Sequence, residues 1–500
     1  MGRDIIIILS AFLAAGCSAL EPIDIQKDDA PSKVFRVGLG EVVDTRTYVD
    51  GDLHHYWRED DRVSIFTSTL NEQYKFDGQT GEDSGTISKV GSGQSGTGSA
   101  IPSNYAVYPY NASTTISSRG VVTLTLPSTQ SYAEGTFGQG ANTMVAVTRN
   151  SGDDFLAFKN VGGYIVLKLY GGGTVKSITI SGNNGEKIAG KASVSISYGG
   201  SPSVTMGTTA TETITLDCGN GVTLGATKDQ ATSFWFSVPP VTFSKGFTIT
   251  AVNTKGMTMT KSSSKSRTVT RNVVNSVPVK AEFKRPVKLP IEYVAEYNLA
   301  NAKTFSTDHL THGWFMAEKQ FNYPYLEQIK VNGYHIPTIY EWNGVIPASS
   351  SNKISIGSDV IEQLFTSEYK VVGEVNYAKR FIGTDYESAY RYELIGGNVI
   401  ITVRYLGKDS GVSLNTIASE TWWISDDSDD ISRTIPAAGY YATSSTPTIT
   451  NAGTRAHYWS STDVPSSNPA SHHAASFTAT TKYDQRAANW CRLPVRLFED

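Results

Sequence analysis

The segment YIVLKLYG at residues 164–171, followed by KSITISG at 176–182, places apolar side chains at every second position. Successive side chains of a strand point to opposite faces, so this period of two predicts half-buried β-strands. Turns rich in Gly, Asn and Ser separate such segments and favour antiparallel pairing. Between Val34 and Phe283 the pattern recurs in RVSIFTS, YAVYPY, VVTLTLP, TMVAVT, ASVSISYG, ETITLDCG, TSFWFSVPPVTF and GFTITAVNT.

The number of these strands exceeds what one β-sandwich uses, which predicts two antiparallel β-sandwich domains at 34–152 and 153–284. Their boundary is expected near RNSGDDF. The basic, proline-containing segment KRPVKLP at 284–290 is typical of a linker. Beyond it, helix-like stretches (IPTIYEW, SDVIEQLF) and aromatic segments (ETWWIS, AHYWSST) predict an α+β domain at 285–500. The predicted fold class is therefore mainly β.

The segment YHIPTIYEW at 334–342 contains the pattern of a helix capping box. Thr338 precedes an apolar turn and Glu341 follows three residues later, with Pro337 just before. We expect Thr338 to accept a hydrogen bond from the backbone N–H of Glu341, and Glu341 to accept one from the N–H of Thr338. Both side chains are thereby assigned to structure and not to catalysis.

Composition argues against a nucleic-acid partner. The 500 residues carry 43 basic and 47 acidic side chains, a net charge of −4, which provides no general attraction to phosphate. Many glycines, 26 tyrosines and only 18% charged residues are common in extracellular β proteins.

The N-terminus has a basic Arg3, a short apolar run and the sequence AAGC at 14–17. The run is too short to span a bilayer, which predicts a cleaved signal peptide at 1–16. AAGC resembles the lipobox of bacterial lipoproteins, with Ala14 where Leu is usual. The resemblance implies that Cys17 is acylated and anchors the mature chain in the outer membrane, with 17–33 as a flexible tether. The alternative is an ordinary secretory peptide.

Cys218 and Cys491 are predicted to be buried, unpaired thiols. His309 and His312 with Asp308 are candidate metal ligands, but a solvated loop is favoured because no fourth ligand stands at a recognisable spacing. The acidic segment ISDDSDDIS at 424–432 is predicted to be a solvated turn, weak calcium binding being the alternative.

Common hydrolase, nucleotide and zinc-protease motifs are absent from the sequence. The sequence therefore predicts no catalytic residues, no metal site and no cofactor, and we do not expect the protein to be an enzyme.

Residues 44–66 read DTRTYVDGDLHHYWREDDRVSIF. A TRT strand, Trp57 and an acidic turn before a V-x-I-F strand stand in this order, and YAVYPY follows. With the lipobox and the tether, these features resemble the fimbrillin family of Bacteroidales pili. The resemblance extends to Phe283 and implies a subunit of a fimbrium at the cell surface.

In that family an arginine-specific protease removes the first strand, and a strand from another subunit replaces it by β-strand addition. The resemblance implies VFRVGLGEVV at 34–43 as the removable strand, with processing at Arg46, or alternatively at Arg36. The alternative interpretation is that Arg46 is an outward residue of an intact strand. Because the chain continues past Phe283 into another domain, we expect it to accept a strand without donating one, which would place it at the tip.

The segments IPTIYEW, AAGYY, YWSST and NWCRLPVRLFED resemble the Fibrobacter major paralogous domain, related in fold to C-type lectins and formylglycine-generating enzymes. His335 stands where that family has Arg, and Cys491 precedes Val495-Arg496 instead of following them. The cysteine pair of the copper enzymes and the calcium motifs of the lectins are absent from the sequence.

The predicted function is a pilus subunit acting as a tip adhesin, with other subunits and a surface glycan or protein ligand as partners. The alternative is a surface glycan-binding lipoprotein that does not polymerise. Aromatic side chains of the last domain are candidates for stacking on a ligand, the other interpretation being that they form core. They are Trp422, Trp423, Tyr440, Tyr441 and Trp459.

Overall fold

The structure, a computed structural model, describes most of the chain. The described residues are 33–39, 56–91, 96–319, 322–349, 351–357, 362–425, 429–443, 448–464, 471–488 and 491–500. They form many strands and a few short helices, which confirms the mainly β fold class.

Twenty-two strands precede the first α-helix within the described residues. They are β1 Phe35–Leu39, β2 Arg62–Phe66, β3 Glu72–Phe76, β4 Ser84–Lys89, β5 Tyr105–Tyr108, β6 Thr115–Ile116, β7 Val122–Leu126, β8 Thr129–Ala133, β9 Thr136–Phe137, β10 Met144–Val147, β11 Phe155–Asn160, β12 Gly163–Tyr170, β13 Thr174–Gly182, β14 Gly190–Ser195, β15 Ser203–Met206, β16 Thr213–Thr223, β17 Thr232–Val238, β18 Val241–Phe243, β19 Phe247–Asn253, β20 Thr258–Ser262, β21 Arg267–Val269 and β22 Val274–Lys280. A short 3-10 helix lies at Lys228–Gln230.

Seven of these strands close into a barrel in the order β1-β11-β10-β5-β2-β3-β4. Its centre is Trp57, which is fully buried. The indole stacks on Phe76 at 5.3 Å and meets Phe158 edge-on at 5.1 Å, both between ring centroids. The tryptophan between the TRT segment and the acidic turn is thus a core residue of the barrel.

The remaining strands form a second group with a six-stranded sheet (β20-β19-β13-β16-β8-β9), a four-stranded sheet (β15-β14-β7-β6) and smaller sheets β17-β12-β22 and β18-β21. The pairing crosses the boundary expected after residue 152, since β7 pairs with β14 and β8 with β16. Segment 115–137 therefore joins the second group of sheets, while β11 belongs to the barrel. Pairing is antiparallel as predicted, except for β1/β11, β8/β16 and β12/β22, which are parallel.

Strand β12 is buried on both faces, which differs from the predicted half-burial. Ile165 and Leu167 face the main core of the second group. On the other face Tyr164 stacks on Phe137 at 5.4 Å between ring centroids. Strand β9 therefore covers the face of β12 that was predicted to be exposed to solvent. In β13, by contrast, the buried Ile178 and Ile180 alternate with more exposed residues as predicted, and a bulge separates them from the buried Val175.

The last part of the chain contains α1 Pro290–Tyr293, β23 Leu299–Asn301, β24 Thr304–Phe305, β25 Tyr334–His335, α2 Ile339–Val345, β26 Lys353–Ile354, β27 Gln363–Leu364, β28 Ser367–Val372, β29 Val375–Arg380, β30 Ser388–Ile395, β31 Asn398–Tyr405, α3 Leu414–Ile417, α4 Glu420–Ser425, β32 Ile431–Pro436, β33 Ala456–Asp463, β34 Ser471–Phe477, β35 Lys482–Ala488 and β36 Phe498–Glu499. A second 3-10 helix lies at Leu326–Gln328. The main sheets are β28-β29-β30-β31-β32 and β33-β34-β35. In SDVIEQLF, residues 358–361 lie outside the described residues, and Gln363–Leu364 is a strand, so a helix at that point is wrong.

Trp342 of α2 is fully buried and brings distant segments together. Its ring lies 5.5 Å from Tyr458, 6.0 Å from Phe477 and 5.1 Å from Phe498, between centroids. Its Nε1 donates to the carbonyl of Trp459 at 3.4 Å. The segments IPTIYEW, YWSST and the C-terminal strand therefore meet in one core.

Two arginines are buried in this part without a carboxylate partner among the described residues. Arg380 donates from Nη1 to the carbonyl oxygens of Gly344 and Ile346, at 3.0 Å each. These carbonyls lie at the end of α2, where helix geometry leaves acceptors without intrahelical donors. Arg496 donates to Asn298 Oδ1 at 2.7 Å and to the Ala295 carbonyl at 2.8 Å.

Candidate functional site

Strand β1 closes the barrel by pairing on both sides. It runs parallel to β11, with Arg36 opposite Phe155, and antiparallel to β4, with Phe35 opposite Ile87. Phe35 and Val37 point inward and are 0% and 1% exposed. Burying two such side chains contributes roughly 1.5–3 kcal/mol each. This strand holds the edges of β4 and β11 together.

Arg36, the alternative processing site, lies on the outer face of β1. Its Nη2 is 2.7 Å from Asp154 Oδ1, and both side chains are largely exposed, so the pair contributes little stability. The pairing of β1 with both neighbours hinders access to the peptide bond after Arg36. Arg46, the preferred processing site, and Cys17, the lipidation site, lie outside the described residues.

Without β1, two unpaired strand edges would face each other across the gap in the barrel. The positions of Phe35 and Val37 would become two apolar pockets, lined by residues such as Tyr74 and Leu156. An incoming strand with apolar side chains two residues apart would restore both the hydrogen bonds and the packing, which is the geometry of β-strand addition. This gap is the candidate binding groove of the barrel.

Two of the five aromatic candidates belong to the core of the last domain. Trp459 is fully buried, and its Nε1 donates to the carbonyl of Phe315 at 2.7 Å. Trp423 is 2% exposed, and its Nε1 donates to the carbonyl of Ile417 at 2.9 Å. With their polar atoms already bonded and their rings enclosed, neither can stack on a ligand.

Two more candidates are half-buried and cover neighbouring side chains. The Trp422 ring lies 4.4 Å from the guanidinium of Arg404. Tyr440 packs against His457, 4.7 Å between ring centroids. Each ring has one face packed against a neighbouring side chain, so we assign both rings to a structural role before a ligand-binding one.

Tyr441 lies in a cluster of rings around an arginine. The guanidinium carbon of Arg492 is 4.0 Å from the Tyr441 ring centre and 4.5 Å from that of Tyr323. Trp314 meets Tyr441 edge-on at 4.7 Å between centroids. All four are partly exposed. We call these residues, Trp314, Tyr323, Tyr441 and Arg492, the aromatic–arginine cluster.

The backbone positions this cluster. The N–H of Tyr441 donates to the carbonyl of Arg492 at 3.0 Å, and the N–H of Arg492 donates back at 3.1 Å. No carboxylate pairs with Arg492 among the described residues, and its buried Nε has no hydrogen-bond partner there. A cation held between two rings without a counter-ion can accept a carboxylate, a sugar face or a peptide carbonyl.

Sequence reasoning identified Tyr441 but missed Trp314, Tyr323 and Arg492. Trp314 and Tyr323 lie more than a hundred positions from Tyr441 and Arg492 along the chain, and no local spacing connects the two pairs. Their convergence follows from two antiparallel bridges between distant segments, Tyr441 with Arg492 and Phe315 with Leu493. The available signal was weak: an Arg beside Cys491 in the terminal strand segment.

His335, Thr338 and Glu341 form a polar network at the start of α2. The capping box is confirmed, with Thr338 Oγ1 accepting from the N–H of Glu341 at 3.2 Å and Glu341 Oε2 accepting from the N–H of Thr338 at 2.8 Å. The bond to Glu341, followed by that to Asp500, raises the pKa of His335. Both carboxylate oxygens of Glu341 therefore form structural hydrogen bonds, Oε1 with His335 and Oε2 with Thr338.

The remaining sequence candidates are dispersed. Cys218 and Cys491 are buried and form no disulfide among the described residues, as predicted, and burial raises the pKa of Cys218 to about 12. Asp308 accepts hydrogen bonds from its own loop, at Leu310 and Thr311. His312 packs edge-on against Trp314, 4.9 Å between centroids.

In the acidic segment, Asp429 is 3.3 Å from Lys255 Nζ and Asp430 is 2.6 Å from Arg404 Nε. These two carboxylates therefore neutralise cations, while residues 426–428 lie outside the described residues. Within the described residues, no group of three His, Cys, Asp or Glu side chains is placed to hold a metal ion. Among the same described residues, none of the helices has both the length and the apolar character needed to cross a membrane.

The comparison with known families gives a match to the last part of the chain. A family described as a domain of unknown function (DUF8237) matches residues 286–498. That range lies inside the third predicted domain and brings no activity with it. No curated protein matches the chain.

Several solved structures show a distant likeness. A candidate cell adhesion protein from Bacteroides ovatus is 14% identical over 50% of this chain and 93% of its own, with a TM-score of 0.32. A candidate cell adhesion protein from Bacteroides uniformis is 15% identical over 49% and 93%, with a TM-score of 0.28. A fimbrial protein from Bacteroides ovatus is 10% identical over 94% and 99%, with a TM-score of 0.21. Such scores do not establish a common fold, so the function proposed below rests on the residues of this chain.

Proposed function

We propose that this protein is a cell-surface subunit of a pilus-type fibre that accepts a strand from another subunit after β1 has been removed. The observation that carries the proposal is the position of β1, paired on both sides and filling the barrel with Phe35 and Val37. Its loss creates a groove with two unpaired edges. Proteolysis after Arg46 would release this strand with the segment that follows it.

The proposal places the chain at the tip of the fibre, as an outer-membrane lipoprotein precursor held through Cys17 until it is processed. Its last domain, 285–500, then projects as the adhesive part. The surface residues of the aromatic–arginine cluster support contact with a ligand there.

Limited digestion with an arginine-specific protease tests the strand removal. We expect a mature N-terminus at Thr47 and, on mixing with partner pilins, a one-to-one complex. Arg46→Gln should block the cut, whereas the matched variant Arg36→Gln should leave it unchanged. A synthetic peptide of residues 33–40 should compete with the partner strand, and a peptide with Asp in place of Phe35 and Val37 should not.

Three outcomes would contradict the proposal or part of it. Strand addition would be contradicted if the chain stays uncut. It would also be contradicted if the cut chain binds neither the peptide nor a pilin. Long homopolymers of this subunit alone would leave strand addition intact but exclude the tip position.

A second candidate function is a glycan-binding surface lipoprotein that does not polymerise. It is favoured by the partly exposed Tyr441 and Arg492, which need no fibre to meet a ligand. Electron microscopy of fibres with a tagged chain separates the two: label at fibre tips supports the first, and label on the cell surface alone supports the second.

A further inference from the structure

A cavity of about 500 Å³ opens in the last domain, away from the residues of the aromatic–arginine cluster. Three segments enclose it: the loop after α2, the hairpin β28–β29 and the turn between β34 and β35. Residues from all three contribute polar groups, among them Ser349, Asn352, Asn376 and Thr481. Its volume is within the range of roughly 300–1,000 Å³ that small-molecule sites occupy.

Tyr369 forms a rigid aromatic wall of this cavity. Its hydroxyl donates to the carbonyl of Ala348 and accepts from the N–H of the same residue at 3.1 Å. Because both bonds hold the phenol in place, the ring keeps its orientation whether or not a ligand is present. Beside it Val371, 52% exposed, adds an apolar surface at the rim.

Asn376 contributes an unused acceptor. The residue is 2% exposed, and its Nδ2 donates to the carbonyl of Ala479 at 3.3 Å. Its Oδ1 is buried and has no hydrogen-bond partner among the described residues. A buried acceptor without a donor is costly, so a donor supplied by a bound molecule would stabilise this site.

The lining has the chemistry of a sugar site. None of the described residues lining the cavity carries a carboxylate, so a bare cation is not favoured, and the charge there comes from Lys482. Hydroxyl and amide groups can exchange hydrogen bonds with sugar hydroxyls, while the C–H face of a pyranose can pack on Tyr369 and Val371. We propose that this cavity binds the terminal sugar of a surface glycan. The proposal goes beyond fibre assembly, because the uncut chain already contains the cavity.

Binding to an array of glycans with neutral and acidic terminal sugars, using the full chain, tests this site, followed by calorimetry with the best-bound sugar. Val371→Trp places a large ring at the rim and should weaken binding by at least about tenfold. Thr481→Val removes one hydroxyl without changing the side-chain size and should weaken binding severalfold. The matched control is Val372→Trp: Val372 is 46% exposed on the opposite face of the same strand, and its substitution should leave affinity unchanged.

Thermal unfolding of each variant separates lost binding from lost folding. The proposal is overturned if the folded wild-type chain binds no sugar on the array. It is equally overturned if Val371→Trp, melting like wild type, keeps full affinity, or if Val372→Trp loses affinity to the same extent. None of these three results affects the proposal of strand addition at the barrel, because strand addition is measured by cleavage and complex formation.

Discussion

The imidazole Nε2 of His335 lies 2.8 Å from Oε1 of Glu341, the carboxylate whose other oxygen caps α2. On the opposite side of the ring, Nδ1 lies 2.9 Å from Asp500 Oδ1. One side chain thus connects the last residue of the chain to the first turn of a buried helix. The connection is strongest when the imidazole is protonated, because both partners are acidic.

This geometry predicts a pH-dependent stability. The folded state raises the pKa of His335, chiefly through the bond to Glu341, so it holds the proton more tightly than the unfolded chain does. The contribution is therefore fully present below about pH 6.5 and is lost as the pH rises through the folded-state pKa. Thermal unfolding of wild type and His335→Gln, measured from about pH 6 to about pH 9, should show the difference between them shrinking with pH. A constant difference would contradict this prediction.

Loss of the cap should destabilise the last domain without affecting ligand contact. Thr338→Ala removes the oxygen that accepts from the Glu341 N–H, and the expected cost is about 1 kcal/mol. Thr338→Ser retains that oxygen and serves as the control, with a smaller effect. Chemical denaturation measures both. Unchanged stability together with abolished ligand binding would assign Thr338 to a binding site instead.

Arg380 should be required for folding of the last domain. Its guanidinium donates to the carbonyl oxygens of Gly344 and Ile346 at the end of α2, and Arg380→Met removes these donors, which leaves the Gly344 carbonyl only the 3.3 Å bond from the Tyr390 hydroxyl. We expect a loss of at least about 2 kcal/mol in the free energy of unfolding. Arg267→Met, at an exposed position of β21, should change it by less than about 0.5 kcal/mol. Comparable denaturation midpoints for the two variants would argue against the capping role.

Substitution of the aromatic candidates should separate buried core residues from residues at the surface by their effect on stability. Trp459→Ala removes a fully buried ring and should cost about 3–5 kcal/mol. Tyr441→Ala removes a half-buried ring from the aromatic–arginine cluster and should cost less, while weakening any ligand contact made there. Tyr441→Phe keeps the stacking face and should bind like wild type. Equal destabilisation by both alanine variants would place Tyr441 in the core.

The lipobox assignment predicts that membrane anchoring depends on the single thiol of Cys17. Cys17→Ala should abolish lipid labelling and release the protein from the membrane fraction, because the acyl chains attach to that sulfur. Cys218→Ala, which removes a buried thiol elsewhere, should remain in the membrane fraction. A Cys17→Ala protein that still sediments with membranes would contradict the assignment.

Much of the local structure was predictable from the sequence. The period of two located the strands, because alternation reflects which face each side chain takes. The capping box was predictable for the same reason: Thr338 and Glu341 are three residues apart, and their bonds form within one helical turn. Burial of Cys218 and Cys491 was predictable because a thiol outside a disulfide behaves as a small apolar side chain.

Only the tertiary structure decided how these elements combine. The parallel pairing of β1 with β11 joins residues more than a hundred positions apart, and no local pattern encodes such a partner. For the same reason β7 and β8 pair beyond the expected domain boundary, and β12 is covered on its second face by Phe137.

The candidate sites depend most on this long-range packing. Tyr441 acquires its neighbours Trp314 and Arg492 through contacts between distant segments, and the acceptor of Asn376 is left without a donor only because other elements enclose it. The sequence by itself determined which residues prefer strands, helix starts and buried positions. Packing decided which of them meet, because the free energy of a contact between distant segments depends on the surfaces that enclose it and not on sequence spacing.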